Sequence, residues 1–359
     1  MKILILPSMC VPDTGSPVTI ARNLAALFHL NGHDTAVAAA RKSRFTEVSF
    51  YPSPTPVKTR RIRGRYGTMC EEYLEDHGAM NHSYLVRDYR SIEEAVKGFE
   101  PDVIFEIERP AAIAAAVNYD IPLFSVVSPA AFRNREFRVS SMNGLNEFLS
   151  TVGMEQVLRF RDLYRFSRCI AFGPAQYLSF PKAFHVRTFG MSCITPLPVE
   201  SDARLSIVIS ESSLSARRSR QIIEASFQGA PYEVYIHARR MKQGKSGNLH
   251  YLQPARLNGV PGSRVCIHDG TDAVTQYCTA LGIPQVIVHD SSWQRLYNGT
   301  LLRRTGAGLP IDQKELSMEK LYETYRMVTA DDAFTEHARL LQEEVTREGD
   351  LSDVLNLLK

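Results

Sequence analysis

Short apolar runs alternate along this chain with longer stretches in which apolar residues recur every three or four positions. Lys2-Ile3-Leu4-Ile5-Leu6 is short and almost wholly apolar, the pattern of a strand buried on both faces. A polar loop over 7–17 follows. Ile20, Leu24 and Leu27 then fall at helical spacing, and Gly32 stops that helix. The same reading predicts strands over 35–39, 103–105 and 122–127 and helices over 91–99 and 111–117, with Pro129 opening a loop. Strand-then-helix repetition with short connections implies a parallel sheet covered on both faces.

The segment GMSCITPLPVES (190–201) has two prolines and no helical period, so the first series ends there. A second series begins with strand 205–209 and continues through helix 218–227, strand 232–237, strand 265–267, helix 273–281, closed by Gly282 and Pro284, and strand 285–289. Helices over 318–328 and 333–345 and an apolar stretch ending at Leu358 complete it. The expected fold class is therefore α/β, with two doubly wound Rossmann-like domains. Their expected bounds are 1–190 and 204–338, with a linker over 191–203 and a closing helical segment, 339–359, that can return to the first domain.

Composition narrows the functions without choosing one. Hydrophobic content of 44% and charged content of 23% are ordinary for a globular protein, and a net charge of +3 is too small for a nucleic-acid surface. No apolar stretch approaches the roughly 20 residues of a transmembrane helix. Met1 to Pro7 is too short for a signal peptide, so a cytoplasmic protein is expected. The six cysteines form no CxxC pair and have no metal spacing, which predicts reduced thiols, several of them buried.

The most informative stretch is His268-Asp269-Gly270-Thr271-Asp272, a polar turn between the strand 265–267 and the helix 273–281. Such a strand–turn–helix aims backbone N–H groups and the positive end of a helix dipole at the turn, a ready site for an anion such as a diphosphate. The carboxylates of Asp269 and Asp272 stand where that anion would sit and repel it unless cations compensate.

Several blocks, taken in order, resemble bacterial GT-B glycosyltransferases of the antibiotic and macrolide type. They are the opening MKILILPSMCVPDTGSPVTIARNLAALFHLNGHDTAV, Pro101-Asp102-Val103-Ile104-Phe105, and Asp120-Ile121-Pro122-Leu123-Phe124. The most specific block runs over 264–312: the His-x-Gly turn, Gly282-Ile283-Pro284, Gln294, and Gly306-Ala307-Gly308-Leu309. Residues 331–345 resemble the family's terminal helix. The resemblance implies a GT-B fold and an inverting, metal-independent transfer of a sugar from a nucleotide diphosphate sugar, UDP- or TDP-linked. The acceptor would be a hydroxyl or amine of a small molecule in natural-product metabolism, bound by the first domain, with the donor on the second and the protein a monomer or homodimer. A non-catalytic GT-B scaffold for a partner enzyme, an epimerase and a phosphorylase share the same pattern.

The resemblance also assigns residues, each with a plainer reading beside it. Pro12-Asp13-Thr14-Gly15-Ser16 is similar to the Gly-Asp-Thr-x-Pro loop of glycopeptide-antibiotic glycosyltransferases, which makes Asp13 the candidate base for the acceptor; its first four residues also suit a turn or helix cap. His268 matches the histidine that donates to the donor phosphate, a contact favouring its charged form, or it is a strand-end histidine satisfied by backbone. Gly270 allows close approach, and Thr271 adds an N–H and a hydroxyl. Three positions depart from the family: Asp269 replaces a glycine, Ala273 a Ser or Thr, and Gln276 the glutamate that holds the ribose. Asp269 is also a candidate helix N-cap. Ser212 lies in a loop that faces the nucleotide in the family. Arg217, Arg218 and Arg220 beyond it are candidate phosphate cations or a solvated helix face. In the loop 290–294, Gln294 matches a sugar-binding glutamine, and Trp293 stands where the family has an acid. Glu106 and Glu108 are acceptor-side candidates or exposed strand-end carboxylates. The basic run Lys58, Arg60, Arg61, Arg63 and Arg65 suits an acidic acceptor or a solvated loop.

Overall fold

The structure is a computed structural model that describes residues 1–10, 16–58, 69–133, 135–193, 204–209, 216–238, 241–252, 262–290 and 292–359. The described residues up to Phe189, together with Leu351–Lys359, form one compact unit, and those between Gly190 and Asp350 form another. Asp13, Ser212, Arg60, Arg61, Arg63, Arg65 and most of the linker segment lie outside the described residues.

The first unit is a seven-stranded parallel sheet in the order β3-β2-β1-β4-β5-β6-β7. Its strands are β1 (Lys2–Pro7), β2 (Asp34–Ala39), β3 (Ser49–Pro52), β4 (Val103–Ile107), β5 (Leu123–Val126), β6 (Arg168–Phe172) and β7 (Arg187–Phe189). Its helices are α1 (Ser16–Leu30), α2 (Cys70–Asp76), α3 (His82–Phe99), α4 (Pro110–Asn118) and α5 (Asn143–Thr151). The helical period of Ile20, Leu24 and Leu27 lays α1 on Ile3, Ile5, Val37 and Phe105. Leu351 and Val354, in a 3-10 helix over Leu351–Leu358, are fully buried in the same cluster, so the chain end belongs to this core.

The second unit repeats the plan in the order β10-β11-β9-β8-β12-β13-β14, parallel except for the β10–β11 hairpin at the edge. The strands are β8 (Leu205–Ile209), β9 (Val234–Ala238), β10 (Gly244–Ser246), β11 (Leu249–Leu252), β12 (Val265–His268), β13 (Gln285–His289) and β14 (Gly308–Asp312). The helices are α6 (Ala216–Phe227), α7 (Asp272–Ala280), α8 (Trp293–Thr305), α9 (Met318–Ala330) and α10 (Asp332–Arg347). Alternation along β8 and β12 splits the core: Leu205, Ile207, Val265 and Ile267 join Ile223 of α6 and Val328 of α9, whereas Val208 and Cys266 meet Val274 and Cys278 of α7.

Strand order reverses between β1 and β4 in the first unit and between β8 and β12 in the second. Doubly wound sheets bind ligands at the strand C-terminal ends beside such reversals. Glu106 and Glu108 lie at the first, and the His268 turn lies at the second. None of the six cysteines is in a disulfide, and Cys70, Cys169, Cys266 and Cys278 are buried. Among the described residues no helix is long and apolar enough to cross a membrane.

Two elements differ instructively from the apolar pattern. Helix α3 spans His82–Phe99, not 91–99, with the Asn81 side chain accepting from Tyr84 N–H at its start. The pattern breaks early because Asp88 is buried, paired with Arg109. The loop expected over 290–294 ends at Ser292, where α8 begins. That helix buries Trp293, Arg295 and Asn298 and so looks polar by sequence.

Candidate functional site

Three hydrogen bonds fix the turn after β12. The Gln285 amide nitrogen donates to Thr279 Oγ1 at 3.3 Å, which turns its oxygen toward His268 Nε2 at 2.9 Å. The Gly270 N–H donates to His268 Nδ1 at 3.1 Å. This network assigns the proton to Nε2 and a neutral ring. Burial lowers the His268 pKa, against smaller opposing effects of the Gln285 bond and Asp269. The charged imidazole expected from a phosphate contact is thus not the state the fold favours, and with 2% exposure the ring's nitrogens serve Gln285 and Gly270.

Gly270 has φ +77°, and a Cβ there would lie 2.7 Å from Ile287 Cγ2, so both the backbone and the space require glycine. Its carbonyl accepts from Asn298 Nδ2 at 2.9 Å. The same nitrogen donates to Asp272 Oδ1 at 2.5 Å, and Gln294 Nε2 donates to Asp272 Oδ2 at 2.5 Å. Asp272 opens α7, where the helix dipole favours its charge. The N-cap residue is Thr271 rather than Asp269. The Thr271 hydroxyl is buried and makes no hydrogen bond among the described residues.

Among the described residues, Arg295, an arginine that the apolar pattern does not single out, packs its backbone against this turn. Arg295 is 4% exposed, its Cα and Cβ lie 3.6 and 3.4 Å from where a Cβ on Gly270 would be, and its Nη1 donates to Asp290 Oδ2 at 2.8 Å. Arg217 and Arg218 are exposed on the first turn of α6, and Arg220 is engaged with Glu224 at 2.7 Å and stacked over Tyr251. Trp293 is 2% exposed and fills the interior, so its face is not presented to a ligand. Gln294 and Gln276 are half-buried, and Ala273 is buried. The turn therefore brings together His268, Gly270, Thr271, Asp272 and Gln294, and excludes the indole.

At the first unit's reversal Glu106 is fully buried, so the reading of an exposed strand-end carboxylate does not hold. Its Oε2 accepts the Arg109 N–H at 3.0 Å. Burial raises its pKa to about 7, despite Ser125, this N–H and the Arg109 charge. Glu108 is buried as well, with φ 55°, a left-handed conformation for a non-glycine residue at a strand end. Arg109 pairs with Asp88 through Nη2 at 2.7 Å and Nε at 3.0 Å and reaches Ala38 O at 2.6 Å, joining α3, β2 and the start of α4. Tyr164 is buried nearby, and its hydroxyl has no hydrogen bond among the described residues; burial, then Glu106, keeps its proton on. Lys58 is exposed.

Residues 257–358 match the family model described as erythromycin biosynthesis protein CIII-like, C-terminal domain. No protein of curated function matches the chain in sequence. Among solved structures, spinosyn rhamnosyltransferase SpnG in complex with spinosyn aglycone superposes with a TM-score of 0.75 at 15% identity, over 100% of both chains. The glycosyltransferase SsfS6 of Streptomyces sp. SF2575 gives 0.70 at 16% identity, over 100% of this chain and 99% of that one. Glycosyltransferase VinC in complex with dTDP gives 0.68 at 15%, over 100% and 98%. The architecture of this chain is that of the GT-B fold, with two Rossmann-like units.

Proposed function

We propose, from the match of residues 257–358 to the EryCIII-like C-terminal family model and from the GT-B architecture of the chain, an inverting, metal-independent glycosyltransferase that moves a sugar from a nucleotide diphosphate sugar to a small natural-product acceptor. The observation that carries this reading is the turn after β12. There a glycine with φ +77° and the N-terminus of α7 stand at the strand reversal, where the helix dipole stabilises an anion. In this reading the second unit holds the donor, with His268 and Asn298 setting the turn and Gly270 and Thr271 meeting the diphosphate. The complexes of VinC with dTDP and of SpnG with thymidine diphosphate favour a TDP-linked sugar over the UDP-linked alternative. The first unit takes the acceptor, Asp13 removes its proton, and the buried helix N-terminus stabilises the leaving diphosphate, the kind of contribution that usually dominates such catalysis.

Turnover tests the assignment of Asp13. With nucleotide sugars and aglycone acceptors, nucleoside diphosphate release should fall about 10²–10⁴-fold in Asp13→Asn while donor binding is kept. Undiminished turnover in that variant contradicts the assignment.

A second reading has its own observation. Asp272 occupies the first turn of α7 and is held there by two amides, which suits a GT-B protein that scaffolds a partner without binding a donor. Absence of binding by any nucleotide or nucleotide sugar would favour it.

A further inference from the structure

We propose that Glu106 and Tyr164 of the first unit receive a cationic amino group, so that the acceptor is a small molecule carrying a basic nitrogen; this rests on the glycosyltransferase reading above. Glu106 lies on β4 at the strand reversal. Tyr164 comes to it from the 3-10 turn over Phe160–Phe166, close enough that Glu106 is, after burial itself, what raises the phenol's pKa most. Both side chains are fully buried, yet Glu106 Oε1 and the Tyr164 hydroxyl have no hydrogen-bond partner among the described residues. Ser125, directly across on β5, eases the Glu106 charge without completing Oε1. Buried polar atoms left so are rare in a finished interior and mark a place that a further group completes.

The charge of that group follows from the balance around it. The nearby guanidiniums are already matched, Arg109 by Asp88 at 2.7 Å and Arg159 by Glu71 at 2.9 Å. Glu106 makes no ion pair among the described residues, and Cys70 and Glu108 act on Tyr164 in the same direction as Glu106 does. A buried carboxylate without a counter-ion is costly, and a proton relieves it, which is why burial lifts the Glu106 pKa to about 7. An ammonium relieves it equally and brings three N–H donors to two oxygens that can both accept. An anionic group would be repelled, and a neutral hydroxyl would leave the charge uncompensated. Tyr164 also packs beside Phe132 and Phe160, with ring centroids 5.8 and 5.3 Å away, and aromatic faces favour a cation further.

The test uses ligand pairs that differ in the amino group: tyramine against para-ethylphenol, and aminocyclohexanol against cyclohexanediol. Calorimetry at about pH 8 meets Glu106 ionised and the amines still protonated. The wild type should bind each amine about tenfold tighter, or more, than its neutral partner, the worth of a charge-assisted hydrogen bond. Glu106→Gln, which keeps the shape and removes the charge, should abolish that preference and leave the affinity for the neutral partners unchanged. Tyr164→Phe should reduce the preference by less. Equal affinity within each pair overturns the proposal, as does a preference that survives Glu106→Gln. A wild type that binds neither amine overturns it too, because a proton and water are then all that the cluster holds. Titration with dTDP and UDP tests the premise separately. A protein that binds a diphosphate and no amine loses this proposal alone; one that binds an amine and neither diphosphate keeps the cationic site and loses the glycosyltransferase reading.

Discussion

A carboxyl group removed from water keeps its proton to higher pH, and Glu106, with one oxygen on the Arg109 N–H and no exposed surface, is held in that way at about 7. The sign of the consequence follows from linkage. Below about pH 4.5 the group is protonated whether the chain is folded or not, and it costs nothing. Between about 4.5 and 7 the unfolded chain loses the proton first, so stability falls as pH rises; above about 7 the penalty, up to roughly 3 kcal/mol, is complete. Glu106→Gln should remove this dependence, so that urea midpoints of variant and wild type diverge between pH 5 and 8, with the variant more stable at the upper end. Parallel profiles would contradict the buried acid. His268→Ala should destabilise the second unit by about 1–3 kcal/mol, since the Gly270 N–H and the Gln285 oxygen both lose their partner, and an unmoved unfolding midpoint would contradict that network. At this scale the sequence carried residue identities but not their surroundings. His268 and Gly270 were legible because a strand, a glycine and a helix follow each other within a few positions. Glu106 looked exposed because nothing near it in sequence announces Tyr164 or the cover over β4.

Between elements, the tie of α7 to α8 matters most, and it was the least legible. Helix α8 begins Trp-Gln-Arg and reads as a polar loop, yet Trp293, Arg295 and Asn298 all point inward, each for a different partner. Apolar periodicity cannot find a helix whose buried face is ionic and amide. The same reason hid the first half of α3, where Asp88 is buried under Arg109. The compensating charge was therefore sought on exposed Arg217 and Arg218, whereas the buried ion pair beside Gly270 is Arg295–Asp290. Removing one member of such a pair strands the other without water. Arg295→Met should cost about 3–5 kcal/mol in urea denaturation. Arg217→Ala and Arg218→Ala should stay within about 0.5 kcal/mol of wild type, as exposed positions do. Equal effects at the three sites would contradict this division.

Across the whole molecule, two sheets built on one plan were legible because strands buried on both faces leave short, uniform apolar runs, and β1, β4, β8 and β13 do so plainly. Edge strands β3, β7 and β10 carry mixed residues and were not read. The last residues illustrate the same limit: Leu351 and Val354 complete the core under α1, far away in sequence. A chain ending at Asp350 should lose roughly 3–6 kcal/mol from the first unit, the worth of two fully buried aliphatic side chains, seen as a lower melting transition. An unchanged transition would contradict that packing. The central claim, a nucleotide sugar held by the second unit, is tested most directly by titrating the wild-type protein with UDP, dTDP and GDP while following thermal unfolding. The account predicts that at least one of them raises the midpoint with the logarithm of its concentration, by about 2.7 kcal/mol of stability at a hundredfold excess over Kd. A midpoint unmoved by all three, up to millimolar concentration, would contradict it.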